Sequence, residues 1–131
     1  MPDAVRERLL TEHRPALERV FACADFVATQ WDGDSVTDSA AVVAPFRRAL
    51  QAADGLEPLA FALADSVAVA GYALSARPVP APPYVVVTSR GVLLRATLPE
   101  GRLVATVSAF EVAPYRRSGT LPEALTVEHR R

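Results

Sequence analysis

Between Pro82 and Val112 the chain reads PPYVVVTSRGVLLRATLPEGRLVATVSAFEV, and two turn signals inside it agree on which side of a β-ribbon is buried. Pro99-Glu100-Gly101-Arg102 separates two apolar runs, with glycine to supply the positive φ that hairpin turns demand. A two-residue loop at Glu100-Gly101 pairs Leu98 with Leu103, Ala96 with Ala105, Leu94 with Val107 and Val92 with Ala109, an entirely apolar face. The opposite face carries Thr97 with Val104, Arg95 with Thr106 and Leu93 with Ser108. A slip of one residue would bury Arg95, so the pattern resists it. Upstream, a turn at Arg90-Gly91 pairs Ser89 with Val92, Val87 with Leu94 and Val85 with Ala96. Val85 and Val87 then join the apolar face, while Tyr84, Val86 and Thr88 join the mixed one.

The first half reads as helical. Val5, Leu9, His13, Ala16, Val20, Ala24, Val27 and Trp31 recur at spacings of three and four, which predicts one helical face over residues 3–31. Pro15 either kinks that helix or starts a second one. A further helix is expected from Thr37-Asp38-Ser39 to Asp54-Gly55, with Gly55 in the left-handed cap and Pro45 as a possible kink. Another spans about Glu57 to Ser75, with Pro58 in its first turn. It is apolar nearly all round, as a helix lying directly on a sheet would be, and Gly71 offers a close backbone approach. Residues 77–83, RPVPAPP, read as a stiff polyproline II connector. Pro114 to Pro122 reads as loop, and residues 124–129 as a short fourth strand.

The expected fold is therefore α+β: about three N-terminal helices on one face of a three- to four-stranded antiparallel meander. The 131 residues are expected to form one domain, with a helical layer (1–76), a connector (77–83) and a sheet (84–131). No apolar run approaches the roughly 18 residues of a spanning helix. The first residues are charged and lack a signal-peptide core, so a cytoplasmic location is expected.

Lys, Asn and Ile are absent, and all 14 basic side chains are Arg. Without Lys there is no Schiff base and no Walker A phosphate contact. Without Asn there is no papain-type orienting residue. Residues 1–76 hold six Arg against eleven Asp and Glu, whereas residues 77–131 hold eight Arg against four Glu. The helical half is acidic and the strand half basic.

Short motifs reduce to bland chemistry. Asp32-Gly33-Asp34-Ser35-Val36 matches the DxDx[TV] pattern of haloacid-dehalogenase-type phosphatases, but helical residues precede it where that chemistry needs a strand. Asp32, Asp34 and Asp38 hint at a cation loop, yet Val43 stands where an EF-hand needs its bidentate Glu. Arg77 to Pro83 has the RxxPxxP spacing of SH3 ligands, though it lies between two structured halves. His13 and His129 sit near opposite ends, and the single cysteine, Cys23, falls on the apolar helix face as a core thiol. No catalytic residue, cofactor site or metal site is identified.

The segment ALADSVAVAGYALSARPVPAPPYVVVTSRGVLLRAT, residues 62–97, resembles small uncharacterised proteins of halophilic archaea. The resemblance carries no catalytic motif and implies no activity and no site residues.

The leading functional expectation is a protein-interaction module, a homodimer above all, that uses the mixed face. Its candidate surface is Tyr84, Val86, Leu93, Arg95, Val104, Thr106 and Phe110, with Val112 beyond it. The partner is the chain itself or another protein, with no membrane. A second expectation is an anion or nucleic-acid binder through Arg90, Arg95, Arg116 and Arg117, which the net charge of −1 disfavours. A third is an enzyme whose site is assembled from Asp65, Glu111, Tyr84 or Arg95.

Overall fold

Pro15 decides how the N-terminal apolar stripe is divided. Inside a helix a proline lacks the N–H to donate and crowds the carbonyl four residues back, at a cost of about 3 kcal/mol. The computed structural model, which describes residues 2–131, shows two helices here, α1 (Pro2–Glu12) and α2 (Arg14–Thr29), parted at His13. Pro15 sits in the first turn of α2, where the missing N–H has no intrahelical acceptor to lose. Pro45 and Pro58 fall in the first turns of α3 (Val43–Ala52) and α4 (Leu56–Val69) for the same reason. Among the described residues four helices therefore stand where about three were expected.

A single 3-10 turn, Ser39–Ala41, precedes α3, and Asp38 caps it by accepting the Ala40 N–H at 2.9 Å. Asp32 and Asp34 lie on an exposed turn. Among the described residues no three His, Cys, Asp or Glu side chains converge as a metal site.

Two helix ends correct the sequence reading. At α4 the Gly71 N–H donates to Ala68 O (3.0 Å) and the Tyr72 N–H to Val67 O (3.1 Å), with Gly71 at φ +90°. Gly71 thus terminates the helix at Val69, short of the expected Ser75, and no atom approaches where its Cβ would be. At α3 Asp54, not Gly55, takes the left-handed position (φ 51°), while the Gly55 N–H donates to Leu50 O at 2.8 Å.

Strands β1 (Val85–Val87), β2 (Gly91–Leu98), β3 (Gly101–Ser108) and β6 (Leu125–Arg130) form one antiparallel sheet in the order β1-β2-β3-β6. β4 (Phe110–Glu111) and β5 (Arg116–Arg117) form a two-stranded ribbon, and β5 lies in the stretch expected to be loop. The connector of residues 77–83 is irregular rather than one straight polyproline rod. Pro78 is buried, and residues 77–80 run beside α4.

Both hairpins are displaced by two residues from the expected pairing. Leu98 pairs with Gly101, Leu94 with Ala105 and Val92 with Val107. The reason is Pro99. Proline prefers the second position of a type I turn and glycine the fourth, so Leu98-Pro99-Glu100-Gly101 turns one step earlier than a Glu100-Gly101 loop. A Cβ on Gly101 would also overlap the Arg130 carbonyl oxygen at the end of β6. Upstream, Val87 pairs with Val92 and Val85 with Leu94. There the Thr88 hydroxyl accepts from the Arg90 N–H (3.1 Å) and the Gly91 N–H (3.2 Å), which lengthens the turn.

A displacement of two preserves the faces, because side chains alternate with period two. Val85, Val87, Val92, Leu94, Ala96, Leu98, Leu103, Ala105, Val107 and Leu125 all point into one cluster with Val5, Leu9, Leu17, Val20, Phe46, Leu59 and Leu63. Helix α4 packs on β1 and β2, and α1 packs on β6. Every helix therefore lies on the side the alternation marked as buried.

Candidate functional site

The other side of the sheet is built from rows of cross-strand neighbours. The Arg95 N–H donates to Tyr84 O at 2.8 Å, Arg95 pairs with Val104, and Val104 pairs with Glu128. Tyr84, Arg95, Val104 and Glu128 thus form one row across four strands. Val86, Leu93, Thr106 and Thr126 form the next, and Thr97, Arg102 and Arg130 a third at the hairpin end. None of these residues joins the cluster that binds the helices to the sheet, so this face has no helical cover.

Val104 is only 3% exposed although nothing from the helices reaches it. In its row it stands between Arg95 and Glu128. The Nε of Arg95 is buried as well, and it meets no hydrogen-bond acceptor. A buried donor left unpaired costs about 1–3 kcal/mol, more when it carries charge. Glu128 contacts Arg130 at 3.3 Å, with the side chains 59% and 61% exposed. So exposed a pair contributes little.

Phe110, expected on this face, is not there. The Ala109 and Phe110 N–H groups both donate to Arg90 O, at 2.7 and 3.0 Å. Two successive donors on one carbonyl form a β-bulge, which shifts the alternation by one residue. Phe110 consequently turns inward against Phe46 (ring centroids 5.3 Å apart) and Trp31 (5.9 Å), and is 3% exposed. Val112 lies beyond the sheet on an exposed turn.

The remaining candidate residues are dispersed. Arg90 is exposed at the β1–β2 turn and Arg116 in β5. Arg117 is engaged inside the protein: its Nη1 donates to Ser118 O (2.5 Å) and Gly119 O (2.8 Å), and its Nε to Asp25 Oδ1 (2.8 Å). Its guanidinium also lies 5.0 Å from the centre of the Phe21 ring. Glu111 borders an open cleft of about 580 Å³ with Ser108, Ser118, Thr120 and Glu123. Asp65 is far from it in the fold, on α4, bound to His13 and Arg8. Tyr84 and Arg95 are adjacent, but on the open sheet face.

Several features were invisible in local spacing. The Arg8, His13 and Asp65 cluster joins residues 57 and 52 positions apart. Arg6 reaches across from α1 to donate to Leu125 O (3.0 Å) and Pro122 O (2.8 Å), fastening the helix to the outer edge of β6. Phe26 is 59% exposed above a groove of about 350 Å³ between α2 and α3. Cys23 borders that groove, 7% exposed, and burial pushes its thiol pKa up, so it stays protonated.

A family model described as "Domain of unknown function (DUF7988)" matches residues 3–130. No curated protein and no solved structure matches the chain significantly.

Proposed function

The chain belongs to the DUF7988 family of unknown function, and for it we propose a protein-interaction module whose outer sheet face takes up a second copy of the chain. The observation that carries this reading is the buried, unpaired Arg95 Nε in the middle of a face that no helix covers. A carboxylate brought over this row by a neighbouring chain would give the unpaired guanidinium a partner and, by drawing the side chain outward, would free Nε and remove the cost of the orphaned donor. The half-buried Val86 and Leu93 add apolar area that makes such contacts adhere. Anion binding has less support, because Arg117 is held by carbonyls and Asp25 while Arg90 and Arg116 lie elsewhere.

No described helix is long and apolar enough to cross a membrane. We place the module in the cytoplasm. An origin in a halophilic archaeon, as the likeness of residues 62–97 implies, would require the contact to survive high salt. Val86 and Leu93 supply a part of it that salt does not screen.

Sedimentation velocity over a dilution series tests the reading. The mass should rise from one chain toward two as concentration increases, and Arg95→Ala or Leu93→Thr should shift the curve to higher concentration. A wild-type chain that stays monomeric into the near-millimolar range would overturn it.

A further inference from the structure

We infer that the two copies meet about a two-fold axis lying along β3, so that Arg95 of each faces Glu128 of the partner subunit. This inference rests on the self-association reading above and adds its geometry.

A two-fold axis at a sheet has three limiting directions. An axis normal to the sheet never brings the two faces together. An axis in the sheet plane but across the strands lays β2 over the partner's β2, and β2 has no acidic residue to offer Arg95. An axis along the strands exchanges sides and keeps rows. Run along β3, it sets β2 of one copy over β6 of the other. Val104 then meets Val104 on the axis, Leu93 faces Thr126, and Arg95 faces Glu128, because Arg95 and Glu128 flank Val104 in a single row. Moving the axis to the gap between β2 and β3 would place Arg95 over Val104 and leave Nε unpaired. Only one of these choices gives the unpaired Arg95 guanidinium a carboxylate.

The groups are available for it. Glu128 is more than half exposed and loses only a weak contact with Arg130. Two symmetric Arg–Glu pairs would form on either side of the Val104 and Thr106 line of β3, and partial exclusion of water would strengthen both. Arg102 meets its own copy near the axis, but it lies exposed at the hairpin end, where water screens the like charges. Face-to-face sheets pack about 10 Å apart with strands roughly 30° askew, which an axis inclined by about 15° to β3 supplies, with rows matched at the centre and splayed at the ends. Strands of this length and number give a total contact of about 1,000 Å², at the lower limit for specific interfaces. The dimer is therefore expected to be concentration-dependent rather than permanent.

The test is a charge exchange read by sedimentation velocity, with a thermal melt of each variant to show that it folds. Arg95→Glu and Glu128→Arg should each raise the dimer Kd at least tenfold. The double variant should restore it to within about threefold of wild type. Where a reversal unfolds the chain, Arg95→Gln and Glu128→Gln replace it, and each should raise Kd severalfold. If wild type dimerises but the double variant is as weak as the singles, or the singles match wild type, the axis along β3 is wrong while self-association stands. If wild type never dimerises, self-association itself is wrong.

Discussion

Asp65 Oδ2 lies 2.6 Å from His13 Nε2 and 3.0 Å from Arg8 Nε, so one carboxylate oxygen ties α1 and the α1–α2 junction to α4. An ionised carboxylate only accepts, so His13 carries its proton on Nε2. The Phe61 ring stands edge-on to the imidazole, with centroids 5.8 Å apart, and closes one side of the cluster. The His13 hydrogen bond first, and Arg8 second, hold Asp65 below its ordinary pKa of 3.8, against an opposing push from partial burial.

That depression fixes a pH dependence. A carboxylate whose folded-state pKa is lowered stabilises the fold above its unfolded value of 3.8 and loses that contribution as pH falls through the folded-state pKa. Asp65→Asn should cost about 1–2 kcal/mol at neutral pH, discounted for partial exposure. Urea midpoints measured downward from pH 6 should converge for the two proteins in acid. Parallel curves would show that Asp65 is not the titrating group.

Arg117 closes the far end of the molecule as a fork. Its Nη1 serves the Ser118 and Gly119 carbonyls while Nε holds Asp25. Arg117→Lys keeps the charge but cannot span these acceptors. It should lower stability by about 1–2 kcal/mol, and Arg117→Ala by more. Equal chemical-denaturation midpoints for the Arg117→Lys variant and wild type would mean that charge alone suffices.

Phe110 and Leu93 distinguish the two sides of the sheet. Phe110→Ala opens a void beside Phe46 and should cost about 3–5 kcal/mol. Leu93→Thr removes a side chain that no helix touches and should change monomer stability by less than about 1 kcal/mol. Comparable losses in both would show that something covers the outer face.

Gly101 stands where a side chain cannot. Its φ is +112°, and a Cβ there would overlap the Arg130 carbonyl oxygen. Gly101→Ala should cost more than about 1 kcal/mol and loosen the hairpin end of β6 first. Hydrogen exchange should then show lost protection at Arg102 and Arg130 before Thr106 and Thr126, which pair farther along the same ladder. Uniform loss along β6 would contradict a local clash.

Much of the candidate surface was legible in advance. Tyr84, Val86, Leu93, Arg95, Val104 and Thr106 share one face because strand side chains alternate, and a register error of two residues leaves that assignment intact. Phe110 was misplaced because a bulge breaks the alternation by one, and its cause, two N–H groups on Arg90 O, lies in a turn on the far side of the β2–β3 hairpin. Glu128 escaped notice because its place beside Val104 depends on β6 docking against β3.

The order of residues alone determined where helices give way to strands, which strand face is buried, and that Pro15 must interrupt the first apolar stripe. These follow from backbone sterics and short-range periodicity. Tertiary structure decided the pairing register, the inward turn of Phe110, the partners of Asp65 and Arg117, and the row that sets Arg95 and Glu128 on either side of Val104. Those depend on segments distant in the chain arriving together, and such meetings are set by how whole layers pack, which no local spacing encodes.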